Sequence, residues 1–163
     1  GRVYENLGVL PRAFFARRTC FFPSKDAVLE AMQQRDWDYR HMVYLVGEEA
    51  ARNSLDLDNN AGRDAVHMLS YEPETISLEV ETDSDAHLVL AEQYYPGWQA
   101  WLNGQSVEIL RANYALRAVK VPAGKHSLRL AYRPTSFYAG LALSLLSGLA
   151  IAILLFIPEP VNS

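Results

Sequence analysis

From residue 76 to 82 the chain reads ISLEVET, with Ile76, Leu78 and Val80 on one side of a period of two and Ser77, Glu79 and Glu81 on the other. Strict alternation of this kind marks a half-buried strand. His126–Arg133 repeats the pattern, with Leu128, Leu130 and Tyr132 on one face and Ser127, Arg129 and Arg133 on the other. Further strands are expected at Ala65–Glu72, His87–Tyr94, Trp98–Leu102, Val107–Leu110 and Tyr114–Val121. Pro73-Glu74-Thr75, Asp83–Asp85 and Pro122-Ala123-Gly124-Lys125 supply turns between them. Asn103-Gly104 is the strongest two-residue hairpin signal. Seven or so short strands with turns between them predict a mainly β fold, a jelly-roll-like β-sandwich.

The first third reads differently. Residues 3–22 mix apolar and aromatic positions around Pro11 and suit short extended pieces. Ser24 is placed to cap one short helix with Asp26 in its first turn. Ala27, Leu29 (or Val28), Ala31 and Met32 form its apolar side through about Gln34. Met42–Val46 suits a buried strand, and the polar residues 47–63 read as a long surface loop.

Residues 137–157, FYAGLALSLLSGLAIAILLFI, break the pattern entirely: they contain no charge, Asn, Gln or Pro. At about 1.5 Å per residue this run reaches the roughly 30 Å of a bilayer's hydrocarbon core. Phe137-Tyr138 opens it and Pro158-Glu159-Pro160 stops it, as befits a spanning helix. A buried core helix of this length would carry a polar stripe. The expected organisation is a β-sandwich domain over residues 1–135, a transmembrane helix over 136–158 and a short tail over 159–163. The linker is only about four residues, which would hold the sandwich close to the bilayer. Gly140, Ser144 and Gly148 recur at four-residue spacing along one face, with Ser147 beside them, and suit packing against other transmembrane helices.

Composition narrows the partners. The chain has 163 residues, a net charge of −4 and a single cysteine, Cys20. The acidic balance gives a nucleic-acid role no support, and one cysteine excludes an intrachain disulfide. The chain begins at Gly1 without a signal peptide. It reads either as a tail-anchored protein or as the end of a longer one.

Charge is unevenly placed. Residues 64–108 carry nine acids and no Lys or Arg, whereas residues 111–133 carry six bases and no acid. Opposite charges on neighbouring strands are favourable. Ile76–Thr82 and His126–Arg133 are therefore expected to be antiparallel neighbours, with Glu79 or Glu81 facing Arg129 or Arg133.

Little here points to catalysis or metal binding. Asp56-Leu57-Asp58-Asn59-Asn60 resembles the start of a calcium loop, but Ala61 and His67 stand where Gly and Glu are required. His41, His67, His87 and His126 are not at metal-ligand spacing. No nucleophile elbow or phosphate-cradling glycine loop occurs, so no catalytic residue, metal or cofactor is expected. The candidate binding surface is aromatic: Tyr94, Tyr95, Trp98, Trp101 and Tyr114. Such rings can stack on a sugar. The alternative is that they build the Pro96-Gly97 bend and fill the sandwich.

Four segments together resemble the C-terminal region of the bacterial YfhO-like membrane proteins. They are YENLGVLPRAF from Tyr4 to Phe14, YYPGW from Tyr94 to Trp98, RANYALRA from Arg111 to Ala118 followed by VPAG from Val121 to Gly124, and YRPTSF from Tyr132 to Phe137. The resemblance implies a large polytopic parent similar to GT-C glycosyltransferases. Such proteins add sugars to cell-envelope polymers from a polyprenyl-phosphate donor, with their C-terminal β domain outside the cytoplasm. Their catalytic acids belong to early loops, which this chain does not contain. Lys120, Lys125, Arg129 and Arg133 precede the apolar run and no base follows it, which by the positive-inside rule favours the opposite orientation. Folded domains translocate largely regardless of charge, so the extracytoplasmic expectation stands.

The function expected is that of a non-catalytic, membrane-anchored β domain that helps position a polyprenyl-linked sugar or a cell-envelope glycopolymer. The alternative is a single-span accessory subunit docking onto a larger membrane complex. The lipid bilayer and neighbouring transmembrane helices are the partners in both.

Overall fold

The computed structural model describes residues 9–16, 18–34, 38, 42–47, 55–56 and 64–156. The chain divides into two compact units, Gly1–Tyr132 and Arg133–Ser163. Among the described residues, the first unit contains β1 (Ala13–Ala16), β2 (Arg18–Phe22), α1 (Lys25–Met32), β3 (Met42–Val46), β4 (Leu55–Asp56), β5 (Ala65–Glu72), β6 (Thr75–Thr82), β7 (Ala86–Gln93), β8 (Trp98–Leu102), β9 (Gln105–Val107), β10 (Leu110–Ala112), β11 (Leu116–Val121) and β12 (Gly124–Tyr132). The second unit contains α2 (Thr135–Phe156). The mainly β fold with one short helix and a C-terminal apolar helix is as expected.

The strands form two sheets. One has the order β5-β6-β12-β8-β9, and the other β1-β7-β11-β10-β3-β2-β4. Their facing sides share one core. Ile76, Leu78 and Val80 from β6, with Leu128 and Leu130 from β12, meet Leu88 and Leu90 from β7 and Val119 and Val121 from β11. These are the alternate, inward positions of each strand, as a sandwich requires.

The larger sheet also curls back on itself. One residue separates β1 from β2, yet β1 is at one end of the sheet order and β2 is next to the other end. Consecutive Cα atoms are about 3.8 Å apart, so the two ends must nearly meet. The concave side then encloses a second core of Ala16, Val43, Leu45, Val89, Ala112 and Ala118, with Phe14 and Phe21 against it. Both faces of β7 and β11 are therefore buried, which explains the near-continuous apolar run Ala86–Leu90. Among the described residues, the strand pairs are antiparallel except for β2 and β3. Parallel neighbours need a crossover, and α1 supplies it.

Helix α1 starts where the sequence predicts. The Ser24 Oγ accepts from the Ala27 amide at 3.2 Å, and Asp26 lies in the first turn. It ends at Met32, earlier than expected, with Gln33 as its C-cap. Val28 and Ala31 are the buried pair, packed on Tyr44, whereas Leu29 is exposed.

β6 and β12 are antiparallel neighbours, as the charge pattern predicts. The facing residues differ from the expectation. Glu81 lies opposite Lys125, Glu79 opposite Ser127, and Ser77 opposite Arg129. The ion pair is Lys125 Nζ to Glu81 Oε2 at 3.5 Å. The register is set by burying Ile76, Leu78 and Val80 against the core, and the exposed charges take whatever partner follows.

The Asn103-Gly104 turn forms as predicted, with φ of 51° and 83°. Two consecutive positive φ values define the type I′ hairpin. The expected strand Val107–Leu110 is divided: β9 closes the hairpin in the smaller sheet, and β10 joins the larger one.

In the second unit, Thr135–Ile153 is long and apolar enough to cross a membrane and is exposed throughout. The His41 position, Leu57–Asn60 of the calcium-like segment, most of the 47–63 loop, Tyr4–Gly8 of the first quoted segment and the 159–163 tail lie outside the described residues.

Candidate functional site

The predicted aromatics are dispersed. Trp98 occupies an inward position of β8, in line with buried Ala100 and Leu102. Trp101 is three residues along the strand, an odd spacing, and faces the opposite side of the sheet, between Arg129 and Ser106. Tyr94 lies beneath Arg111, whose Cζ is 4.7 Å from the ring centroid. Tyr114 packs with the α1 cluster. Only Tyr95 and Trp98 come together, through Tyr132: ring centroids are 6.2 Å apart for Tyr95–Tyr132 and 5.7 Å for Trp98–Tyr132. Tyr95 is 58% exposed.

Beside Trp98 lies a charged cluster. The Arg117 Cζ is 4.1 Å from the Trp98 ring centroid, a cation–π geometry. Arg117 is buried, and its Nη2 is 3.8 Å from Glu92 Oε2. Glu92 uses its other oxygen, Oε1, to accept from the Tyr71 hydroxyl and, at 3.4 Å, from Arg12 Nη1. Arg12 also donates to the Tyr71 oxygen at 3.0 Å and stacks over its ring at 4.6 Å. One carboxylate thus joins two guanidinium groups and a phenol from β5, β7, β11 and the segment before β1.

The electrostatics follow from this geometry. The hydrogen bond to Glu92 pushes the Tyr71 phenol up from its usual value, because ionisation would set a phenolate against a carboxylate. Burial pushes Arg117 down, and Glu92 opposes that shift. Arg117 Nε and Nη1 have no hydrogen-bond partner.

Local backbone chemistry positions these groups. Asn113 and Tyr114 both have positive φ, 44° and 69°. Asn113 stabilises this turn by acting as a surrogate strand residue. Its amide donates to the Tyr44 carbonyl at 2.7 Å, and its Oδ1 accepts from the Tyr44 amide at 2.8 Å. A register shift follows between Leu116 and Arg117. Beyond it, Arg117 shares the inward face with Val119 and Val121.

All four segments singled out in the sequence contribute to this neighbourhood. Arg12 comes from the first, Tyr95 and Trp98 from the second, Arg117 from the third and Tyr132 from the fourth. Tyr71 and Glu92 complete it. A match to the family model described as bacterial membrane protein YfhO covers residues 56–144, over half of the chain.

The chain belongs to the YfhO family.

The YfhO match takes in every member of the cluster except Arg12 and extends into α2. A relative, the uncharacterized protein YfhO of Bacillus subtilis (strain 168), is 27% identical over 79 residues. That alignment covers 48% of this chain and 9% of the relative's length. No solved structure matches. YfhO proteins are bacterial membrane proteins, and α2 fits that setting.

The small residues of α2 lie on its exposed surface. A Cβ added at Gly140 or Gly148 would meet nothing within 4 Å. Ser144 is one turn from each, and Ser147 Oγ donates to the Leu143 carbonyl at 2.9 Å.

Sequence reasoning missed Arg12, Tyr71, Arg117 and Tyr132 as site residues. For Arg117 a signal existed: it falls in phase with Val119 and Val121, an unusual place for a solvated charge.

Proposed function

We propose that this chain is the membrane-anchored, extracytoplasmic β region of a longer YfhO protein, and that it positions a saccharide for chemistry done elsewhere in that protein. In this reading the sugar comes from a polyprenyl-linked donor and goes to a cell-envelope polymer. The observation that carries it is the meeting of Tyr95, Trp98 and Tyr132 beside Glu92, Arg117 and Arg12. Rings with an exposed edge offer apolar faces to a sugar's C–H groups, and neighbouring fixed charges accept or donate to its hydroxyls. The cluster holds a single carboxylate, Glu92, and that group is already engaged by Tyr71, Arg12 and Arg117, which suits recognition better than bond breaking.

Tyr132 is separated from α2 by only Arg133 and Pro134 in the sequence. A binding residue so placed is tied covalently to the membrane segment. The α2 stripe of Gly140, Ser144 and Gly148 would then pack against other helices of the parent.

The test is sugar transfer by the full-length parent in cells. Trp98→Ala and Tyr95→Ala should lower transfer while membrane insertion and abundance are kept. Unchanged transfer in both variants would remove the proposal's support.

The second reading, a docking module, draws on β5. This edge strand exposes Met68, Leu69 and Tyr71, an apolar patch of the kind that marks interaction surfaces. Charges placed at Met68 and Leu69 would then abolish co-purification with partner membrane proteins and leave saccharide binding intact.

A further inference from the structure

A second site lies in the first unit, lined by none of the residues of the aromatic and charged cluster. A cavity of about 800 Å³ opens among β2, β3, β7, β8, β11 and the β9–β10 segment. Its volume falls within the roughly 300–1,000 Å³ of small-molecule sites. Phe21, Leu102, Val107 and Leu110 make its walls apolar. His87 also lines it, buried and anchored by a 3.0 Å contact between its Nδ1 and Thr19 Oγ1. Glu108 and Lys120, both exposed, supply its charged residues. They do not pair with each other, and neither has an ion-pair partner among the described residues.

That combination restricts what can fill the space. A neutral apolar ligand would use the apolar wall and leave both exposed charges to solvent, gaining nothing from them. A ligand with one charge would satisfy one and repel the other. A ligand with both charges answers Glu108 with its cation and Lys120 with its anion, and sets its apolar part against Phe21, Leu102, Val107 and Leu110. The chain carries a helix able to cross a membrane, so amphiphiles are the abundant molecules around it. We infer that this cavity binds a single-chain zwitterionic amphiphile, its headgroup between Glu108 and Lys120 and its chain along the apolar wall.

The test uses the full chain in phosphatidylglycerol nanodiscs, with a diazirine-bearing dodecylphosphocholine below its micellar concentration. Photolabelling should map to the 102–110 segment and to Phe21. Unlabelled dodecylphosphocholine should compete about tenfold better than dodecyl maltoside, and the dipeptide Leu-Phe should not compete. Glu108→Lys and Lys120→Glu should each reduce labelling about fivefold, the reach of one exposed ion pair, and the double exchange should restore it. Val107→Trp, which fills the cavity, should abolish labelling. Labelling confined to α2, equal competition by the maltoside or the dipeptide, or indifference to both charge reversals would each overturn the inference. Any variant with a lowered melting temperature is judged by competition on the wild-type chain, which does not depend on it.

Discussion

Arg117 and Glu92 stand on adjacent strands, 3.8 Å apart at their nearest charged atoms, with the Arg117 guanidinium over Trp98 and the Glu92 carboxylate bound to Tyr71 and Arg12. The two are unequally placed. Arg117 is 3% exposed and depends on Glu92, whereas Glu92 is 23% exposed and has two other donors. Removing the carboxylate charge should therefore hurt more than removing the exposed cation. Glu92→Gln is expected to cost about 1.5–3 kcal/mol, the range for hydrogen bonds to charged groups. Arg12→Ala should cost less than about 1 kcal/mol, as for other exposed ion pairs. Urea unfolding of the two variants decides the order; equal losses would mean that Arg117 does not rely on Glu92.

The same carboxylate makes Tyr71 a reporter of pH. Its pKa is raised in the folded chain, first by the hydrogen bond to Glu92. A raised pKa means that the folded state favours the protonated phenol. The associated stability is fully present below the unfolded value, about 10, and is lost as pH rises through the folded value. Ultraviolet titration should show a late-ionising tyrosine that Tyr71→Phe removes and Glu92→Gln shifts down. Tyr44, raised mainly by burial, should remain late in both variants.

Asn113 is expected to be the most sensitive polar residue of the β10–β11 turn. Replacing it with Ala leaves the buried Tyr44 amide without its acceptor, at a cost of about 1–3 kcal/mol. It also puts a poor residue at positive φ. Asn113→Gly keeps the backbone conformation but not the acceptor, so it should be less harmful than Ala. Thermal denaturation of the pair separates the two contributions, and identical melting temperatures would show that φ contributes nothing.

Core and surface positions of β12 should respond very differently. Leu128 is fully buried between the sheets, so Leu128→Ala is expected to cost about 2–5 kcal/mol. Lys125, whose pair with Glu81 is mostly exposed, should lose about 0–1 kcal/mol on substitution by Ala. A large effect at Lys125 would mean that the charges, and not the apolar face, set the register.

Those contrasts mirror what could be read from the chain. Ile76–Thr82 and Trp98–Leu102 were legible because alternation and the Asn103-Gly104 turn are local signals. The β6–β12 pairing was legible too, from charge blocks, but its register was not. The register depends on which of Leu78 and Leu128 face each other in the core, a fact absent from either strand alone. The parallel β2–β3 pair was hidden because nothing in either short strand names its partner across the α1 crossover. The charged cluster was hidden for a similar reason: Arg12 meets Tyr71 and Glu92 across 59 and 80 residues of chain. The aromatic segment was seen, but its odd three-residue spacing sends Trp98 and Trp101 to opposite faces.

Saccharide binding by the full chain in nanodiscs is the most direct measurement of the proposed role. A panel of bacterial envelope polysaccharides, read by intrinsic tryptophan fluorescence and by retention on the immobilised glycan, distinguishes the rings. The account predicts saturable binding that Trp98→Ala and Tyr95→Ala each weaken about five- to tenfold, on the scale of an aromatic contact worth about 1–1.5 kcal/mol, and that Trp101→Phe leaves intact. Binding lost with Trp101→Phe but kept with Trp98→Ala and Tyr95→Ala, or no binding to any member of the panel, would contradict it.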